Sequence, residues 1–118
     1  MSFTVDDLAA RAGVVDINRE CVKDDILSLA SFCDPWQLVG LHLGLSEPQI
    51  SAIDGDNRST DLKRLGALQK WKEMFVFKAT YRVLVGALID CGKTQQAMKV
   101  CEHLAQKESM YSVSSGRI

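Results

Sequence analysis

Apolar residues return on helical spacing four times along this chain, and that recurrence limits the folds open to it. Ile26, Leu29, Ala30 and Cys33 stand at i, i+3, i+4 and i+7, as do Leu38, Leu41, His42 and Leu45. Tyr81, Leu84, Val85 and Leu88 repeat the spacing, and so do Ala97, Val100, Cys101 and Leu104. No segment of similar length alternates apolar and polar residues between turn signals, so the pattern predicts an all-α architecture. At 118 residues the chain has the common size of one domain, and 47% hydrophobic residues are enough for one core.

Capping chemistry places the ends of these helices. Asp34 before Pro35, with Gln37 three residues after the acid, predicts a helix start, and Gly44 lies near that helix's end. Ser46 with Gln49 forms a capping box for a third helix, which Gly55 should close before a polar loop from Asp56 to Thr60. A longer helix is expected from about Asp61 to Phe75, with Leu62, Leu65, Leu68, Trp71 and Phe75 inward and a break near Phe77 and Lys78. Thr80 should cap the fifth helix, Cys91 and Gly92 should close it, and a sixth should run from Thr94 to about Lys107. Residues 22 to 107 thus form the expected bundle. Residues 1 to 21 form an extension in which Thr4 to Ala12 is a candidate short helix ended by Gly13, and the serine-rich tail 108 to 118 is expected to be disordered.

The formal net charge of −1 conceals a division. Residues 1 to 57 hold ten acids and three bases, a charge of −7, whereas residues 58 to 118 hold five acids and eleven bases, a charge of +6. No run approaches the roughly 18 apolar residues needed to cross a bilayer, and the first residues lack a basic and an apolar signal segment, so a cytoplasmic protein is expected. In that compartment the four cysteines are expected to be free thiols, three of them in the core. The Asn57-Arg58-Ser59 triplet matches the glycosylation pattern, which has no role without secretion.

Longer strings carry a resemblance. The segment from Trp36 to Ile50, WQLVGLHLGLSEPQI, resembles the second and third helices of the death domain. Leu68 to Trp71, then Ala79 to Leu84, Ala87-Leu88 and Cys91-Gly92-Lys93, is similar to that family's fourth and fifth helices with their core tryptophan. The likeness spans about residues 22 to 107. It implies a six-helix antiparallel bundle of the death-fold type and a non-catalytic module. Such a module binds other death domains, including copies of itself, and often builds a homo-oligomer or helical filament in cell-death or innate immune signalling.

Side chains with chemical potential give no competing constellation. Trp36 and Trp71 fall on inward faces. Zinc sites need close cysteine or histidine pairs in two clusters, and the only close pair is Cys101 with His103, on different faces of one helix. There is no glycine-rich phosphate loop, nucleophile elbow or His-Glu-x-x-His motif, so neither a metal, a cofactor nor catalysis is expected. The charge division suggests an interface in which an acidic surface from Asp24, Asp25, Asp54 and Asp56 docks on a basic surface around Lys63, Arg64 and Lys70 of another copy, weakening as salt rises. The alternative is a helical nucleic-acid-binding domain using the basic half, against which the acidic half argues.

Overall fold

The computed structural model describes residues 3–115, with side chains as far as Met110. Among the described residues seven helices follow one another: α1 (Val5–Ala12), α2 (Lys23–Leu29), α3 (Trp36–His42), α4 (Glu47–Asp56), α5 (Thr60–Phe75), α6 (Tyr81–Asp90) and α7 (Thr94–Ser115). Short 3-10 turns, Ala30–Phe32 and Val76–Lys78, follow α2 and α5. No strand forms among the described residues; one antiparallel bridge pairs Glu20 with Thr80.

The core forms where the helical templates meet. Ile26, Leu29, Ala30 and Cys33 are all buried, as are Tyr81, Leu84, Val85 and Leu88 on α6 and Ala97, Val100, Cys101 and Leu104 on α7. On α5 the inward face is Ala67, Leu68 and Trp71; Leu65 and Phe75 pack at its edge, while Leu62 is exposed and does not join them. On α3 the inward residues are Trp36, Val39, Gly40 and Leu43 instead of the expected Leu38, Leu41 and His42, which face outward. The helix is apolar on most sides, so spacing alone does not select its buried face; it begins at Trp36 with no side-chain cap, and the Asp34 carboxylate expected to cap it pairs with Arg64 at 2.6 Å. Leu45, beyond the helix, turns back into the core.

The remaining boundaries follow side-chain caps. Ser46 and Gln49 form a capping box at α4, Ser59 Oγ accepts from Leu62 N at 3.2 Å to start α5, and Thr80 Oγ1 accepts from Val83 N to start α6. Helix α4 runs through Gly55 to Asp56, and Asn57 caps it by donating its side-chain amide to Ile53 O at 2.8 Å. Gly44 is required where α3 turns into α4: its φ is +105°, and a Cβ there would sit 2.8 Å from Phe75 Cζ. The last helix continues to Ser115, past the end expected at Lys107; residues 116–118 of the serine-rich tail lie outside the described residues.

The N-terminal extension is built into the fold. Thr4 and Asp7 form a reciprocal capping box, with both bonds at 3.1 Å, and the Thr4 N–H donating to the Asp7 carboxylate above all holds that carboxyl below its usual pKa. Helix α1 lies against α6 and α7 with Leu8 and Ala9 buried, and the chain then runs past buried Ile17 and Cys21 into α2. The Glu108 carboxylate of α7 accepts the Val15 and Asp16 backbone N–H groups, each at 2.8 Å.

Trp71 is 1% exposed at the centre of this packing. Trp71→Ala should therefore lower stability by about 3–5 kcal/mol in urea unfolding, through the lost contacts and the cavity left behind.

Candidate functional site

The seven ion pairs among the described residues show where the two charged halves go. Five of them join an acid from residues 1–57 to a base from residues 58–118: Asp6–Arg82, Glu20–Lys72, Asp25–Lys107, Asp34–Arg64 and Asp54–Lys63, with distances of 2.6 to 2.9 Å. The two others, Asp61–Arg64 and Glu73–Lys70, are local pairs on α5. Five of the ten acids of the first half are thus paired with bases of the second half within one molecule. The cations that a nucleic-acid reading would use are mostly held by carboxylates of the same chain.

The residues expected at a charged interface are distributed accordingly. Asp25, expected on the acidic surface, is instead interior: it is 3% exposed, its Oδ1 receives Lys107 Nζ at 2.6 Å and its Oδ2 accepts Val22 N at 3.0 Å. Asp24, its neighbour, is exposed on α2, and Asp56 is exposed at the end of α4. Asp54 and Lys63, expected on opposite surfaces, are 2.7 Å apart across α4 and α5. Arg64 is half-buried between Asp34 and Asp61, and the Asp34 hydrogen bond above all raises its pKa. Lys70 stays partly exposed, with Glu73 at 3.6 Å. The structure therefore pairs Asp54 with Lys63 and Asp34 with Arg64, and leaves Asp24 and Asp56 open to solvent.

Around Asp25 lie Tyr81 and Cys21. Burial, then the carboxylate's charge, pushes the Tyr81 hydroxyl above its ordinary range, and the same two causes push the Cys21 thiol up to about 12. Burial likewise raises Cys33 to about 12 and Cys101 to about 11, whereas Cys91 is only half-buried and less shifted. All four thiols are free. Among the described residues no group of three or more His, Cys, Asp or Glu side chains is placed to hold a metal ion. No described helix is long and apolar enough to cross a membrane.

What the surface does offer is apolar. Leu27 on α2 and Leu62 on α5 are 56% and 50% exposed, and both line depressions between the two helices. One, of about 270 Å³, is bounded by Lys23, Ile26, Leu27, Gln69, Lys72 and Glu73. The next, of about 330 Å³, shares Leu27 and runs on to Asp61, Leu62, Arg64 and Leu65. The two make one groove along α2 and α5. Leu38 and Leu41, one turn apart on α3 and each 40% exposed, form a ridge outside it. Both were invisible to periodicity, which assigned Leu38, Leu41 and Leu62 to the core; the one available signal was Leu27, which falls off the buried stripe of its own helix.

A helical bundle with an apolar groove open on its surface is suited to binding other proteins. The chain belongs to the death-domain family, whose model matches residues 23–104. Helices α2 to α6 and the first half of α7 fall inside that match, and α1 lies outside it. No curated protein and no solved structure matches the chain.

Two outcomes test the buried cluster. Asp25→Ala removes the buried acceptor of Lys107 Nζ and Val22 N and should cost about 1–3 kcal/mol in chemical denaturation, while Asp24→Ala next to it should change stability by less than about 0.5 kcal/mol. In native protein at pH 8 a thiol reagent should modify Cys91 first, because thiols raised to about 11–12 carry little thiolate there; the other three should react only on unfolding.

Proposed function

We propose that this protein is a non-catalytic, cytoplasmic adaptor module that docks other death folds, copies of itself included, in cell-death or innate immune signalling. The observation that carries this reading is the death-domain bundle presenting an apolar groove along α2 and α5 together with a separate apolar ridge on α3. Exposed large apolar residues grouped in this way mark interaction surfaces, where apolar anchors supply affinity. Asp24 beside the groove, with Asp56 and Lys70 farther round, adds charge that orients an approaching partner, while Lys63 and Arg64 reach a partner only by giving up Asp54 and Asp34.

A groove on one copy that takes the ridge of the next is a heterologous contact. It closes into a ring or continues as a helical filament and does not stop at two copies. Because apolar burial carries the contact, salt should change the rate of association more than its extent.

Light scattering of the purified protein against concentration tests this. The wild type should grow beyond a dimer. Leu27→Asp and Leu41→Asp should each stop growth with the helical circular dichroism spectrum unchanged, since both side chains face solvent. Growth that survives both changes would remove the groove-and-ridge reading.

A further inference from the structure

The corner between α5 and α6 is unlike the rest of the surface. Val76 has φ 49° and ψ −105°, a left-handed backbone that a β-branched residue adopts only under constraint. Lys72 ties the corner down: its carbonyl accepts the Val76 N–H, and its Nζ donates to Val76 O at 3.0 Å and pairs with Glu20 at 2.9 Å. Held in this way, the corner exposes Met74, Val76 and Phe77; Phe77 is 81% exposed, and no other aromatic with a described side chain is exposed. Lys78 follows, also exposed.

Beside the corner lies a second depression, of about 330 Å³, between α4 and α5. It is lined by Pro48, Gln49, Ala52, Ile53, Asp56 and Lys70. Helix α4 carries Glu47, Asp54 and Asp56 and no base. Gln49 on its wall donates to Met74 Sδ at 3.2 Å, so the depression and the corner are neighbours on one face.

A projecting aromatic and a lysine, adjacent to an apolar hollow edged by Asp56 and by Lys70 with Glu73 at 3.6 Å, form a self-complementary surface. We propose that two copies of this chain pair about a two-fold axis, each seating Phe77 in the other's α4/α5 hollow with Lys78 against Asp56. A two-fold contact uses the same patch on both partners, and adjacency of knob and hollow allows both insertions at once. The apolar ring takes the floor formed by Pro48, Ala52 and Ile53, and the opposite charges fix the orientation. This pair is separate from the α2/α5 groove and ends at a dimer.

Sedimentation of full-length Leu27→Asp protein, in which groove-driven growth is removed, tests the pair alone. A reversible dimer is expected. Adding Phe77→Asp should weaken it by tenfold or more, with the helical spectrum unchanged because the ring is in water. Lys78→Glu and Asp56→Lys should each weaken the dimer, and together they should restore it. The proposal is overturned if the protein stays monomeric at every concentration, if the dimer ignores Phe77→Asp, or if the combined charge exchange fails to recover pairing. It is overturned equally if Phe77→Asp instead abolishes binding to phosphatidylserine vesicles by a monomeric protein, which would assign the corner to a lipid surface. Growth of the wild type, scored separately, speaks only to the groove and ridge.

Discussion

The Asp25 carboxylate is the interaction on which this bundle closes. One of its oxygens holds Lys107 of α7 and the other holds the backbone N–H of Val22 at the start of α2, with the Tyr81 hydroxyl of α6 buried beside them. A charge taken out of water costs several kcal/mol unless it is paired and hydrogen-bonded, so the site is favourable only when all its partners are in place. That condition fixes the path of the chain before α2. Tyr81 N donates to Arg19 O at 2.9 Å and Cys21 N to Ala79 O at 2.8 Å, so the segment entering α2 is tied to the segment entering α6. The extension outside the family match is thereby anchored to the same point as the bundle, and Leu8 and Ala9 of α1 complete the core against α6 and α7.

The other four pairs between the two halves of the chain differ in kind from Asp25–Lys107. Their carboxylates are 32% to 73% exposed, and exposed pairs contribute only about 0.2–1 kcal/mol each. What they supply is registration: Asp54–Lys63 aligns α4 with α5, Asp34–Arg64 sets the turn before α3, and Glu20–Lys72 and Asp6–Arg82 draw the extension onto the bundle. An acid-rich first half and a base-rich second half are what an intramolecular clamp requires. Charges outside these pairs, among them Asp24, Asp56 and Lys78, stay exposed alongside the apolar side chains.

The sequence was legible where a single residue type has a single local use. Ser46 with Gln49, Thr80, and Gly92 at φ +75° mark helix ends as their chemistry demands, and the stripes on α2, α6 and α7 are buried as spaced. It misled where two faces of a helix carry similar residues. Helix α3 has apolar residues nearly all round, so period alone could not choose between Trp36, Val39 and Leu43 and the stripe that starts at Leu38. Helix α5 shows the same ambiguity at Leu62. Asp24 and Asp25 are adjacent and identical in type, yet one faces water and the other Lys107; their separation depends on a contact 82 residues away that no local pattern encodes. The charge division was visible, but its use within the molecule required knowing which helices meet.

Helix α5 connects the surface to the core. It walls every depression described above: Gln69, Lys72 and Glu73 in the first, Asp61, Leu62, Arg64 and Leu65 in its continuation, and Lys70 in the hollow beside α4. Its opposite face carries Ala67, Leu68 and Trp71, each 3% exposed or less. Close-packed interiors resist small displacements, so a helix fixed by a buried tryptophan presents its outer residues in one arrangement. Association costs free energy wherever loops or side chains must be ordered, and a surface built on such a helix avoids much of that cost. The same side chain that makes the bundle stable therefore also prepares the surfaces on which a second fold can dock.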